Sequence, residues 1–335
     1  MVVEARTPTR IDLSGGTLDL YPLYLFLNGG VTNNAAIDIY SNVWIETRHD
    51  SEVRLKSLDT GKELSAPSAE QLPLDQDLAF VARVVRFYAP KTGVNVTTHN
   101  STPYGSGLGG SSSLLIALSG ALDRLNRTQM DPKLFVDIGA NLEAQSIGIP
   151  TGKQDYLAAL YGGVNSFHFS VDGWRQEQLL EDEKQLTELE ARIILSFTGH
   201  SHFSGANNWS MLKRFMDNAG NSRESMQIIR RTADDMRQAL IAFDLDRFVE
   251  LLDEEWQHRK QLAEGVTTPA IDAMVEAAKK AGAWASKICG AGGGGCMITA
   301  APAEKRTAVE AALTKVGATV MPFKIARQGL TIKEM

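Results

Sequence analysis

Apolar and polar residues alternate along NAAIDIYSNVWIETRHDSEVRLKSL, residues 34–58, with the period of strands that bury one face; antiparallel strands are predicted there. The period lengthens in QDLAFVARVVRFYAP, a helix ended by Pro90, and shortens again in GVNVTTH, a further strand. After a run of glycines and serines, Leu114, Leu115, Leu118, Leu122 and Leu125 fall on one side of a helix. Two more helices are predicted: one over DPKLFVDIGANLEAQSIG, stopped by Gly148 and Pro150, the other opening at Thr151 with Tyr156, Leu157, Leu160 and Tyr161 as its stripe. Acidic LLEDEKQLTELEAR, residues 179–192, reads as a solvated connection, and the domain boundary is placed there, giving residues 1–185 and 186–335. Beyond it IILSF is a strand, and residues 223–263 form a pair of amphipathic helices. TTPAIDAMVEAAKKAG is a helix capped by Thr268 and ended by Gly282. ASKICGAGGGGCMITAAP reads as two short strands around a glycine turn, followed by a helix, EKRTAVEAALTKVG, and a strand, TVMPFKI. The fold class is α+β in two lobes.

Composition narrows the partners. With 335 residues, 43% hydrophobic and 22% charged, the chain can build two cores unaided. A net charge of -6 without any basic run excludes nucleic acid as the main partner. No basic segment leads into an apolar one at the N-terminus, and stretches such as LYPLYLFL are too short for a bilayer. A cytoplasmic protein with no membrane partner is expected, acting on a small molecule as a monomer or a homodimer. Cys289 and Cys296 are expected to be reduced and buried, and no clustered ligand set suggests zinc.

The chemistry concentrates in TPYGSGLGGSSS, residues 102–113. Gly105, Gly107 and Gly110 fit the dinucleotide fingerprint, but the helix that follows leads into another helix rather than a parallel strand. Gly105 and Gly110 also have the spacing of a Walker A loop, with Ser111 where the lysine would stand. A tight turn with a serine cap accounts for one glycine and one serine. Four glycines and three consecutive serines point instead to backbone amides and a helix start gathered around an anion.

Three segments in order resemble those of the GHMP kinase superfamily: TPTRIDLSGGTLDL (residues 7–20), PYGSGLGGSSS (residues 103–113) and KICGAGGGGCMI (residues 287–298). Within it, GGTLDL, GLGGSSS and GIPTGKQDYLAALYGGVNSF are similar to the heptose 7-phosphate kinase and sugar 1-kinase branch. The resemblance implies the two-domain GHMP kinase fold, an N-terminal domain like ribosomal protein S5 domain 2 and a ferredoxin-like C-terminal domain. It also implies an ATP- and Mg²⁺-dependent kinase acting on the anomeric hydroxyl of a sugar phosphate, D-glycero-D-manno-heptose 7-phosphate foremost. A free-sugar 1-kinase and a non-catalytic sugar and ATP sensor are the alternatives.

By the same resemblance, Pro103, Gly105, Ser106, Gly107, Leu108, Gly109, Gly110, Ser111, Ser112 and Ser113 hold the nucleotide phosphates, and Ser111 with Glu143 holds the metal. Asp155 is the catalytic base, in the first turn of a helix whose dipole keeps a carboxylate ionised, and Arg10 offsets charge beside it. Asp19, with Gly16 and Thr17, matches the sugar-binding segment. Lys153, among the substrate-binding candidates, either offsets charge beside Asp155 or lies in solvent. The third motif, Gly290 to Gly295, packs against the phosphate loop and shapes the acceptor cleft, with Gly292 and Gly293 placed there. His200, with His202, Asn207 and Asn208, lies on a loop expected near the acceptor. Lys213 and Arg214 either meet a phosphate on it or form a solvated helix face.

Overall fold

The computed structural model describes residues 1–201 and 204–335. A long first strand, β1 (Val2–Ser14), runs antiparallel to a longer second one, β2 (Gly30–Thr47), from Val2↔Glu46 to Ser14↔Asn33. β2 is the spine of the larger sheet. Its second half pairs with β5 (Val94–Asn100), which lies parallel to β3 (Val53–Ser57), itself in a hairpin with β4 (Glu63–Ala66). Its first half pairs with β6 (Val164–Ser170), the inner strand of a hairpin with β7 (Gly173–Leu180).

Four helices cover the larger sheet: α2 (Ala79–Tyr88), α3 (Gly110–Asn126), α4 (Pro132–Ile147) and α5 (Gln154–Tyr161), with a single turn, α1 (Leu23–Phe26), at the rim. α3 is the central one. Beyond its predicted stripe it also buries Ile116, Ala117 and Ala121, because α2, α4 and α5 pack on the sides the sheet leaves open.

The second lobe begins with α6 (Glu183–Arg192), where a solvated connection was expected. Asp182 caps it by accepting from the Lys184 and Gln185 amides, and Leu186 and Leu189, three apart, turn inward. The acidic residues are its outer face. Next come β8 (Ile193–Phe197), α7 (Ser204–Met216), α8 (Ser222–Ala242), α9 (Leu245–Arg259), α10 (Pro269–Lys280), β9 (Ala285–Ile288), β10 (Cys296–Ala300), α11 (Arg306–Lys315) and β11 (Thr319–Met321). The four strands lie antiparallel in the order β11-β8-β10-β9, the ferredoxin-like arrangement. Thr268 caps α10 through the Ile271 amide, and both cysteines are buried and free.

The chain does not end in that lobe. After β11 it returns to the larger sheet, where β12 (Thr331–Glu334) pairs with the outer edge of β1, so the stretch 186–335 spans both lobes. A shared apolar core joins them: Ile11, Leu13, Ala35 and Ile37 pack with Ile193, Leu195, Met236, Phe248 and Ile298. Among the described residues, no helix is long and apolar enough to cross a membrane.

Candidate active site

The phosphate-loop candidate joins β5 to α3. Gly105, Gly107 and Gly109 all have positive φ, 66°, 70° and 76°, a backbone that side chains other than hydrogen rarely allow. The loop is held from below. The Arg10 amide donates to Leu108 O at 3.1 Å, the Arg10 guanidinium donates to Gly107 O, and the Leu108 side chain is buried in the core shared by the lobes. Gly109 stands at the N-cap of α3 and offers no side chain to the first-turn amides, which lack partners within the helix. A helix start left open in this way suits an anion.

Arg10 and Asp155 meet beside that loop. Arg10 Nη2 lies 2.6 Å from Asp155 Oδ1, with Arg10 on β1 and Asp155 in the first turn of α5. A Cβ on Gly109 would lie 2.9 Å from Asp155 Cβ and 3.0 Å from Oδ2, so a side chain there would displace the carboxylate. Burial pushes the Asp155 carboxyl above its ordinary value, and Arg10 pulls it partly back. Burial weakens the Arg10 charge, yet Asp155 and Asp12 outweigh it, and the guanidinium is held above its usual range.

Asp19 completes a second carboxylate beside the first. Its Oδ2 accepts from the Gln154 amide at 2.8 Å, and a Cβ on Gly152 would lie 2.2 Å from the same oxygen. Burial raises its pKa to about 6 against that hydrogen bond, with the Asp155 charge adding to the rise. Its neighbour Thr17 has φ 80°, a left-handed conformation costly for a β-branched residue and of the kind that gathers at functional sites.

Glu143, on α4, accepts from Ser111 Oγ at 2.6 Å through Oε1, and from Ser112 Oγ at 3.1 Å and Tyr156 OH through Oε2. Burial raises this carboxyl too, while the Ser111 and Tyr156 hydroxyls pull it down. Ser111 and Glu143 are hard oxygen donors of the kind a magnesium ion takes. Among the described residues no group of three or more His, Cys, Asp or Glu is placed to hold a metal, so a cation here would draw its other ligands from phosphate and water.

Residues 79–163 match the family GHMP kinases N terminal domain, and residues 236–319 match GHMP kinases C terminal. The chain belongs to the GHMP kinases. This GHMP kinase is 27% identical to the D-glycero-alpha-D-manno-heptose 7-phosphate kinase of Campylobacter jejuni, with 98% of each chain covered. It is also 27% identical to the mevalonate kinase of Thermococcus onnurineus, over 100% of this chain and 99% of the relative. Among solved structures, a D-glycero-D-manno-heptose 1-phosphate kinase from Bacteriodes thetaiotaomicron superimposes with a TM-score of 0.81 at 25% identity, covering 99% of both chains.

Several of the expected site residues of this kinase lie elsewhere in the geometry. Ser113 is fully buried and bonds Thr7, 2.9 Å between hydroxyls, so it fastens α3 to β1 rather than facing the loop. Ser106 is buried beneath the loop, where its hydroxyl accepts from the Leu108 amide, and the carbonyl of Pro103 accepts from the Ser106 amide. The Lys153 ammonium is 2.6 Å from Asp137 on α4. The third motif packs against the phosphate-loop candidate as expected, through Cys289, Gly290, Gly295 and the Cys296 amide, which donates to Ser106 O at 2.6 Å, but Gly292 and Gly293 pack on the Val266 backbone instead. His200 exposes its ring while its carbonyl accepts from the Gly295 amide. Asn207 is buried and donates to Ala291 O, whereas Lys213 is on an exposed helix face, 2.5 Å from Asp217, and Arg214 binds Leu262 O. His202 lies outside the described residues. Sequence reasoning missed Tyr156 as a partner of Glu143, since it reads as part of an apolar stripe. It also missed Asp12, Glu255, Arg259 and Lys287, four fully buried charged residues from three separate segments of the chain.

Proposed function

We propose that this GHMP kinase transfers the terminal phosphoryl group of ATP to a hydroxyl of a sugar phosphate, with the anomeric hydroxyl of D-glycero-D-manno-heptose 7-phosphate as the acceptor. The observation that carries the reading is the Arg10–Asp155 pair set against Gly109, a carboxylate at the mouth of a phosphate-loop candidate with one oxygen engaged and the other turned toward the loop. The full-length relative named for heptose 7-phosphate supports the choice of acceptor.

In this mechanism the open amides at the start of α3, Gly110, Ser111 and Ser112, hold the triphosphate, and Arg10 orients Asp155 through Oδ1. Asp155 Oδ2 takes the proton of the acceptor hydroxyl as that oxygen bonds to the terminal phosphorus; the bond from this phosphorus to the bridging oxygen breaks, and ADP leaves. Positioning and charge do most of the work in such a transfer. The raised Asp155 carboxyl makes a stronger base than a free aspartate. Asp19 accepts a hydrogen bond from a sugar hydroxyl and fixes which hydroxyl reaches Asp155. Ser111 and Glu143 would hold Mg²⁺, which would supply neutralising charge at the phosphates.

A free sugar is the second reading, favoured by the Lys153–Asp137 pair, which leaves that ammonium already neutralised. Incubation with ATP and Mg²⁺ against D-glycero-D-manno-heptose 7-phosphate, fucose, galactose and mevalonate distinguishes them. Turnover confined to the phosphorylated heptose is the expected result; turnover of a free sugar alone supports the second reading, and no sugar turnover defeats both.

A further inference from the structure

Asp12 on β1, Glu255 and Arg259 on α9, and Lys287 on β9 form a buried quartet with no net formal charge, every member 0% exposed. Lys287 Nζ is 3.2 Å from Asp12 Oδ2 and 3.0 Å from Glu255 Oε1, and Arg259 Nε is 3.1 Å from Glu255 Oε1. Taking four charges out of water costs several kcal/mol per ion before their attraction repays it, so a buried ionic cluster is poor evidence of a stability device. What this cluster holds is more informative.

Its outward hydrogen bonds all end on two loops. Glu255 Oε2 accepts from the Gly15 amide at 3.0 Å. Arg259 donates to Gly16 O through Nη2, and through Nη1 to Gly290 O at 3.2 Å and Thr17 Oγ1 at 3.4 Å. One guanidinium therefore holds the loop that leads to Asp19 and, with its other arm, the turn that rests on the phosphate loop: a Cβ on Gly290 would lie 3.1 Å from Gly107 O. Gly15 and Gly290 carry positive φ, 80° and 72°, as glycine readily does, whereas Thr17 at φ 80° holds a conformation that a β-branched residue keeps only when its surroundings enforce it. Gly16 has no room for a side chain, since a Cβ would sit 2.4 Å from Asp12 Oδ2 and 2.8 Å from Arg259 Nη2.

We infer that Glu255 and Arg259 are positioning residues for phosphoryl transfer, setting the distance between the acceptor loop and the phosphate loop from fully buried side chains. This rests on residues 16–19 being the acceptor loop, as proposed above. The planar guanidinium is essential to it, because a lysine at 259 keeps the charge but cannot span both carbonyls.

The test compares wild type with Arg259→Lys and Glu255→Gln, by steady-state kinetics on whichever acceptor the wild type turns over and by hydrogen exchange on the free protein. For Arg259→Lys the expected result is a fall in kcat of ~10- to 100-fold, the scale of an ångström-level misplacement, with KM for ATP unchanged. Amide exchange speeds up in residues 15–19 and 289–295 together and nowhere else. Glu255→Gln, which keeps an acceptor for the Gly15 amide, retains more activity and more protection than Glu255→Ala. Uniformly faster exchange across the second lobe, with kcat lost only in proportion to unfolded protein, would reduce the quartet to a structural role and overturn the inference. So would unchanged exchange in both loops, or failure of every variant to fold. A wild type that turns over no sugar defeats the acceptor reading instead, and the exchange arm still reports on the coupling of the two loops.

Discussion

Arg10 binds Asp155 with one nitrogen and the carbonyl of Gly107 with another, so a single side chain on β1 ties the base candidate to the phosphate loop. In the proposed mechanism, geometry at this pair sets both what accepts the proton and where the phosphoryl group lies when it does.

Asp155→Asn keeps the shape and removes the base. Its kcat is expected to fall by ~10²–10⁴, the range for loss of a general base, while a nucleotide titration by calorimetry gives wild-type affinity. Equal loss of binding and turnover would assign Asp155 to the fold.

The pH profile follows from the same pair. Burial raises the Asp155 carboxyl and Arg10 pulls it back, so activity should decline as pH falls through a value above that of a free aspartate. In Arg10→Met the downward pull is gone, and the acidic limb of kcat/KM should move to higher pH. A limb that stays in place would show that another group controls it.

Glu143→Gln leaves a neutral oxygen beside Ser111. The Mg²⁺ concentration for half-maximal activity is expected to rise about tenfold or more, as for ligand-level changes at metal sites, with thermal stability little altered. An unchanged Mg²⁺ titration removes Glu143 from the metal.

Asp19 bears on stability as well as binding. With its carboxyl raised to about 6, the native state holds a proton that the unfolded chain has released, so stability contributed by this group is present at low pH and lost as pH rises toward 6. Asp19→Asn still accepts the Gln154 amide and carries no buried charge. It should be more stable than wild type at pH 8, by up to about 3 kcal/mol for two pKa units, and no more stable near pH 4, while KM for the acceptor rises. Melting curves at the two pH values check the sign.

The glycine turns, the three motif segments and most helices of the second lobe were legible in the sequence, because each follows from local periodicity or from what glycine permits. The first strand was not. Residues 7–14 are all buried, yet Thr7, Thr9, Arg10, Asp12 and Ser14 are polar, so no alternation marks them. Their polarity serves the loops they hold: Thr7 fastens Ser113, Arg10 fastens Gly107 and Asp155, and Asp12 joins the buried quartet. α6 failed for the opposite reason, two inward leucines being outnumbered by its charged face. The pairing of Glu255 and Arg259 with Gly15 and Gly16, some 240 residues away, has no local signature at all.

β12 borders β1 on the side away from β2, with Glu334 opposite Val3. The first residues of the strand that carries Arg10 thus gain their second neighbour from a segment that has already passed through the other lobe. A first lobe cut off after residue 185 would therefore lack the strand that closes this edge, leaving the backbone groups of residues 3–6 open to pairing with a neighbouring molecule.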